Sequence, residues 1–313
     1  MMESIPGRIV MIDGSVVTPD RAFVSVYDRG FLYGDSVFEV LRTYDHRPFA
    51  LDAHVERLFE SASRVAIVPP VSQDALKGEI LAAISRAEGA GDSVVRIQIT
   101  RGVGPLGLDP SNARSPMRIV FVEPISLPPL DDYRNGIGVL LVRTERTADN
   151  TPAAGAKVSN YLVSLLALRD AYASGAREAI IIDGRGRVLE GTTSNVFAVK
   201  DRVLLTPPES EGILPGITRR HLLLAASAIN IPVRITTLTS GDIIGADEVF
   251  ISSTVREVLP VVRIDDQVVG NGAVGPVTRA IHRQFRQEGG LPSRMPWEDG
   301  APVGPTGSSG LGK

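Results

Sequence analysis

The segment Pro152-Ala153-Ala154-Gly155-Ala156-Lys157-Val158-Ser159-Asn160-Tyr161 sets one amine among small residues, just ahead of an amphipathic helical pattern. Small neighbours leave room beside the amine for a bulky group. A lysine that condenses with a carbonyl needs that room, and it needs a pKa lowered by burial or by nearby cations. The other reading is a solvated loop lysine. Scarcity gives the position weight, because of 33 basic residues only Lys77, Lys157, Lys200 and Lys313 are lysines. Lys77 falls in a helical pattern, Lys200 sits beside Asp201 in a predicted turn, and Lys313 ends the chain, so all three read as surface groups.

Outward from Lys157, four further stretches carry chemistry. Leu189-Glu190-Gly191-Thr192-Thr193-Ser194-Asn195-Val196-Phe197 ends a strand on a carboxylate and continues in small polar residues. It reads either as a hairpin end or as an acid that keeps a heterocyclic nitrogen protonated. Gly212-Ile213-Leu214-Pro215-Gly216-Ile217-Thr218-Arg219 opens onto a helix through Pro-Gly. That leaves free backbone N–H groups, and the helix dipole favours an anion there, although many structural helices start the same way. Ser252-Ser253-Thr254-Val255 closes a strand with three hydroxyls in a row. Arg57, in His54-Val55-Glu56-Arg57-Leu58, is either a solvated helix residue or one fork of a phosphate clamp. Gly102-Val103-Gly104-Pro105-Leu106-Gly107 matches GxGxxG after a predicted strand, but Pro110 and Pro116 follow and leave no helix to meet a pyrophosphate, so it reads as a Gly-rich loop. His46, His54, His221 and His282 show no paired spacing, and no metal site is expected.

The organisation around these stretches is α+β. Asp13-Gly14 between apolar runs signals a hairpin. Asp52 is expected to cap a helix carrying Val55, Leu58, Ala62 and Val65, and Ser72 or Asp74 to open another, with Leu76, Ile80, Ala83, Ile84 and Ala87 inward and Gly89 as its stop. Strands are expected at Val94–Thr100 and Met117–Val122. Pro124 to Gly136, with three prolines, reads as the connection between a domain of residues 1–123 and a second of 137–288. The second holds helices from about Ser159 to Ser174, after Gly216 and near Val277–Phe285, with short strands between. Residues 289–313, rich in Gly, Pro and Ser, read as a disordered tail. A net charge of −3 offers no basic excess for nucleic acid. With no apolar run of membrane length, no basic and apolar leader and no cysteine, the sequence reads as a cytoplasmic protein without disulfides.

Six ordered blocks together resemble the class IV (fold type IV) pyridoxal-phosphate aminotransferases. They are Tyr33-Gly34-Asp35-Ser36-Val37-Phe38-Glu39, His54-x-x-Arg57-Leu58, Lys157 with Asn160-Tyr161, Glu190-Gly191 with Asn195-Val196-Phe197, Leu214 to Arg219, and Ser253-Thr254, and the resemblance runs from about Ile9 to Phe285. It implies two α+β domains with pyridoxal 5′-phosphate at their interface, in a homodimer or larger assembly whose partner subunit helps close the site. It also implies roles. Lys157 would attach the cofactor and carry the catalytic proton, Glu190 would pair with the pyridine nitrogen, and Tyr161 would bond the ring's phenolic oxygen. Arg57, the Ile217 and Thr218 backbone N–H groups, the Thr218 hydroxyl and Thr254 would bind the phosphate, and Leu214 would pack on a ring face.

Within the family, the Tyr33–Glu39 block and Gly270-x-Gly272-x-x-Gly275-Pro276-Val277-Thr278-Arg279 look most like the branched-chain amino acid branch. Arg96 would then lie near the substrate carboxylate, with Tyr33, Phe38, Val94 and Val255 as an apolar wall. Val94 stands where that branch usually has Tyr, and Val40 where it has Gly. The implied activity moves an amino group between a hydrophobic L-amino acid and 2-oxoglutarate. The alternatives are a D-amino acid or (R)-amine transaminase, or 4-amino-4-deoxychorismate lyase. The loop after Thr100 lacks the His expected of a D-amino acid enzyme, so Arg101 and Arg42 are the candidates for a carboxylate site of that kind.

Overall fold

The computed structural model describes residues 7–87, 91–144, 151–292, 295 and 298. Two sheets organise the chain. The first, of six antiparallel strands, is built from β1 (Ile9–Ile12), β2 (Ser15–Val17), β3 (Ser36–Tyr44), β4 (Arg47–Pro48), β5 (Ser93–Thr100) and β6 (Arg118–Pro124), in the order β2-β1-β6-β5-β3-β4. Asp13 and Gly14 form the β1–β2 turn, as the sequence leads one to expect. A short helix, α1 (Arg29–Tyr33), precedes β3 and ends at Gly34, whose φ of 67° needs a glycine.

Two helices cover one face of this sheet, α2 (Leu51–Arg64) and α3 (Gln73–Arg86). Val55, Leu58 and Ala62 of α2 meet Leu76, Ile80, Ala83 and Ile84 of α3 over Val37, Leu41, Val95, Ile97 and Val120 in one core. Ser72 caps α3 by accepting from the Ala75 N–H at 3.2 Å. Asp52 does not cap α2. The N-cap is Ala50, in a left-handed conformation without a side-chain bond, and Asp52 sits in the first turn paired with Lys77 at 2.9 Å. Gly89, the expected stop of α3, lies outside the described residues.

The expected connection is not wholly irregular. It carries α4 (Leu130–Asn135), whose Tyr133 is buried against the second sheet. The ten strands of that sheet are β7 (Ile137–Arg143), β8 (Glu178–Ile182), β9 (Arg187–Gly191), β10 (Asn195–Lys200), β11 (Val203–Thr206), β12 (Val233–Ile235), β13 (Leu238–Thr239), β14 (Glu248–Ser253), β15 (Glu257–Ile264) and β16 (Gln267–Val268). They run β12-β11-β10-β14-β15-β7-β8-β9-β13, with β16 beside β15. The β15–β7, β7–β8 and β11–β12 pairs are parallel and the others antiparallel, a mixture the sequence reading leaves unspecified.

The remaining helices are α5 (Leu162–Ala173), α6 (Ile217–Ala228), α7 (Ser240–Ile244) and α8 (Pro276–Glu288). α6 and α8 share a core with Phe197, Phe250 and Val258, while α7 and Tyr133 join a separate core with Val196, Ile251 and Leu259. Residues 102–107 form a loop with no helix after them beyond the short turn at Pro110–Asn112. Apart from Gly289–Pro292, Met295 and Glu298, the expected tail of 289–313 lies outside the described residues, and among the described residues no helix is long and apolar enough to cross a membrane.

Candidate active site

The stretch around Lys157 is held against β3 of the first sheet and against α2. Val158 bridges Val37 of β3, the Phe38 N–H donates to the Lys157 carbonyl at 3.0 Å, and the Ser159 N–H donates to the Ser36 carbonyl at 3.1 Å. The Lys157 N–H donates to Ser61 Oγ of α2 at 3.1 Å. These bonds hold the backbone and leave the side chain to reach into a cavity of 1010 Å³.

Eleven of the twelve expected site residues line that cavity: Phe38, Arg57, Arg96, Lys157, Tyr161, Glu190, Leu214, Ile217, Thr218, Thr254 and Val255. Tyr33 does not. Gly34 turns the chain between it and β3, its hydroxyl accepts from the Gly107 N–H at 2.9 Å, and the Arg29 guanidinium lies 4.9 Å from its ring centre. Val94 is also absent from the lining. It shares a strand face with Arg96 but stands farther along, opposite Arg42. Val40 lines the wall instead.

Burial lowers the Lys157 pKa to about 8, assisted by Arg57 and Arg96 and opposed by Glu39 and Glu190. A good fraction of the amine is therefore neutral near pH 8, as a nucleophile requires. If Lys157 attaches pyridoxal 5′-phosphate, as the resemblance implies, uptake by the cofactor-free protein is expected to quicken as pH rises through about 8 and to level off above it. Stopped-flow absorbance against pH measures this, and a midpoint near 10 would show that the amine is fully hydrated.

Each partner is fixed from its own element. Glu190, near the end of β9, accepts from the Leu214 N–H at 3.0 Å, while Asn195 Nδ2 donates to the Leu214 carbonyl at 3.0 Å, so the carboxylate and the loop before α6 are locked together. The Tyr161 ring meets Phe38 edge to face with centres 5.3 Å apart. Burial, with the Glu190 charge, pushes its hydroxyl up to about 12, so it stays protonated and can donate. Gly216 is the N-cap of α6 and supplies no side-chain cap, which leaves the first N–H groups facing the cavity. A methyl on Gly216 would collide with Asn195 Oδ1, so the loop passes Asn195 as closely as backbone allows.

Arg57 donates through Nη1 to the Pro215 carbonyl at 2.8 Å, and through Nε and Nη2 to Glu39 at 2.6 and 2.9 Å. The cavity thus carries a guanidinium, an open helix N-terminus and hydroxyls, and the buried Ser194 and Ser252 Oγ atoms that border it have no hydrogen-bond partner among the described residues. This donor set fits a phosphorylated ring aldehyde: Arg57 and the N-terminus of α6 would take the phosphate, and Lys157 and Glu190 would serve the ring.

Four supports of this geometry have no role in the sequence reading: Glu39 and Asn195, which stand in its motif blocks, and Ser61 and Arg256, which do not. Glu39 is fully buried in the apolar run Val37-Phe38-Glu39-Val40-Leu41, and that lone carboxylate was the available signal. Arg256 borders the cavity and pairs with the buried Glu178 at 2.8 Å.

The class IV amino-transferase family profile matches residues 36–264. The chain is 38% identical over 277 residues to a putative branched-chain-amino-acid aminotransferase of Methanocaldococcus jannaschii, covering 88% of this chain and 95% of that one. It is 35% identical over 279 residues to a D-alanine aminotransferase of Staphylococcus haemolyticus, covering 89% and 96%. It superimposes with a TM-score of 0.83 and 32% identity on the branched-chain amino acid aminotransferase of Escherichia coli, covering 92% of this chain and 97% of that one. The chain belongs to the class IV aminotransferases, enzymes that depend on pyridoxal 5′-phosphate.

Proposed function

We propose that the enzyme moves an amino group from a hydrophobic, branched-chain L-amino acid to 2-oxoglutarate. The observation that carries this is Arg96. Its guanidinium lies 3.8 Å from the Phe38 ring centre and donates to Gln98 Oε1 at 3.2 and 3.4 Å, and among the described residues no carboxylate pairs with it. A half-buried cation beside an apolar wall of Phe38, Val40 and Val255 suits a substrate with one carboxylate and an aliphatic side chain. The two arginines of the D-amino acid alternative are engaged elsewhere. Arg101 is held by Asp35 and by the Val65 and Ala66 carbonyls, Arg42 is paired with Glu257, and neither borders the cavity.

Pyridoxal 5′-phosphate, when bound, supplies an aldehyde for amines and a ring that draws electrons from the substrate Cα. In this reading Glu190 holds the proton on the ring nitrogen, Tyr161 donates to the ring oxygen and Leu214 covers a ring face. Arg57, Thr254, the Thr218 hydroxyl and the N–H groups of Ile217 and Thr218 hold the phosphate. Lys157, the amine that lines the cavity, would attach the cofactor's aldehyde and would serve as the base that moves the substrate Cα proton. We take residues 1–123 and 137–288 as the two domains that close on the cavity. We also infer a homodimer, because α5 exposes Leu162, Val163, Leu165 and Leu166 side by side. The absence of cysteine fits work in a reducing cytoplasm.

A half-reaction screen tests the substrate. L-leucine is expected to bleach the visible band of the holoenzyme and 2-oxoglutarate to restore it. Bleaching by D-alanine alone would move the assignment to D-amino acids, whose 35% identical relative keeps that reading open, and pyruvate release without an acceptor would make the enzyme a lyase. Arg96→Met is expected to raise KM for L-leucine about 30-fold, since it leaves the carboxylate without its cation. An unchanged KM would remove Arg96 from the site.

A further inference from the structure

A buried ion cluster lies just behind the cavity wall, and nothing above gives it work. Glu257 opens β15 directly after the turn that carries Thr254 and Val255 to the cavity, and its φ is 59°. A non-glycine residue keeps that left-handed conformation only where its surroundings over-determine it. Here they do. Arg42 Nη1 and the Tyr44 hydroxyl reach across from β3 and donate to Glu257 Oε1 at 3.2 and 2.8 Å. From α8, Arg286 Nη1 donates to both carboxylate oxygens, at 2.7 and 2.8 Å, and His282 Nε2 lies 2.7 Å from Oε2.

The same Arg42 nitrogen also donates to the Val255 carbonyl at 2.9 Å, and the Tyr133 hydroxyl donates to the Arg256 carbonyl at 3.1 Å. Two successive carbonyls of the turn are therefore held by residues from outside the second sheet. Arg42 shares a face of β3 with Phe38 and Val40, the first-sheet wall of the cavity, because side chains two apart on a strand point the same way. One strand thus carries one wall of the cavity and a tether to the other.

We propose that Arg42 is a positioning residue: by bridging Glu257 and the Val255 carbonyl, its guanidinium fixes the Ser253–Arg256 turn, and with it Thr254 against the cofactor phosphate and Val255 against the substrate side chain. The proposal rests on the transaminase reading for its kinetic consequence, but the rigidity of the turn can be measured without it. Losing Arg42 loosens the turn and widens the gap between the walls, which weakens substrate binding more than it slows the chemistry at Lys157.

The test uses full-length Arg42→Met and Arg42→Lys, by hydrogen exchange of amides 253–256 with and without pyridoxal 5′-phosphate and by kinetics with L-leucine. In Arg42→Met these amides are expected to exchange about 10-fold faster while those of 258–261 keep wild-type rates. KM is expected to rise about 10-fold with kcat changed by less than about 3-fold. Arg42→Lys, which retains a cation for Glu257, shows smaller shifts of both in the same direction. Wild-type exchange in the turn overturns the proposal, as does a KM change without an exchange change. If Arg42→Met does not fold, Arg42→Lys decides on the same two readings, and failure of both to fold overturns the proposal, because Arg42 is then a folding element. If wild-type enzyme transfers no amino group, the transaminase reading fails while the exchange measurement still decides the role of Arg42.

Discussion

Glu39→Gln is expected to lower the melting temperature by about 5–10 °C, to weaken retention of pyridoxal 5′-phosphate by about 100-fold, and to move the pH midpoint of cofactor uptake below 8. The cause is the place of this carboxylate in the electrostatics of the site. Glu39 is fully buried, receives Nε and Nη2 of Arg57, and lies 2.8 Å from His54 Nδ1. Burial alone would raise its pKa, but Arg57 and His54 outweigh burial and hold it at about 2. Its ordinary pKa is 4.5, so this grip contributes about 3 kcal/mol at neutral pH. A carboxylate with a depressed pKa stabilises the fold above its unfolded pKa, and that stabilisation is lost as pH falls from about 4.5 through 2. A glutamine keeps the shape but leaves Arg57 a buried cation without its counter-charge, free to swing away from the Pro215 carbonyl and from the phosphate it is proposed to hold. Glu39 is also the largest influence raising the Lys157 pKa. Its neutralisation must therefore drop the amine below 8, an effect that loss of packing alone does not produce. Calorimetry, cofactor dissociation and the uptake profile together check this. An uptake midpoint that stays at 8 while stability falls would reduce Glu39 to a structural role.

Arg57 has a role in the sequence reading and Glu39, which stands in a motif block, has none, and the difference lies in where each residue's chemistry is expressed. Taken singly, Arg57, Lys157 and Glu190 each have an ordinary structural reading, and it is the six ordered blocks resembling the class IV aminotransferases that give each a role. Glu39 acts through Arg57, two elements away, and a single chain gives no sign of which buried acid meets which base. The helix and strand periods also carried most of the first sheet and its two helices, since Val55, Leu58, Leu76 and Ile80 repeat at helical spacing and pack as one core. Asp52 misled because an acid in the first turn of a helix resembles a cap in sequence, and only the left-handed Ala50 reveals that the helix starts without one. Tyr33 misled because motif adjacency to Phe38 says nothing about direction, and Gly34 reverses the chain between them. Strand order in the second sheet was beyond reach, because its parallel neighbours β7 and β8 are separated by the whole Lys157 segment and α5.

Lys157→Met is expected to abolish amino transfer, with kcat/KM down by at least about 10⁴-fold, and to make the cofactor-free protein more stable than the wild type at pH 7. Loss of activity follows if this amine both attaches the cofactor and moves the Cα proton, because Lys77 is paired with Asp52 and Asp74, and Lys200 with Asp247, so neither can replace it. The gain in stability follows from the sign of the pKa shift. Lys157 is lowered from 10.5 to about 8, chiefly by burial, so its charged form is less favourable in the folded protein than in the unfolded chain. That penalty is full below pH 8, shrinks as pH rises toward 10.5 and then vanishes. It amounts to about 1–3 kcal/mol, the range reflecting how far cavity water hydrates the amine. Methionine fills similar space without the charge and relieves it. The melting temperature of the cofactor-free variant should therefore exceed that of cofactor-free wild type by a few degrees at pH 7, and the two should converge by pH 10. A variant less stable than wild type at pH 7, or a gap that ignores pH, would mean that Lys157 is a hydrated surface amine, and the chemical reading of the cavity would lose its nucleophile.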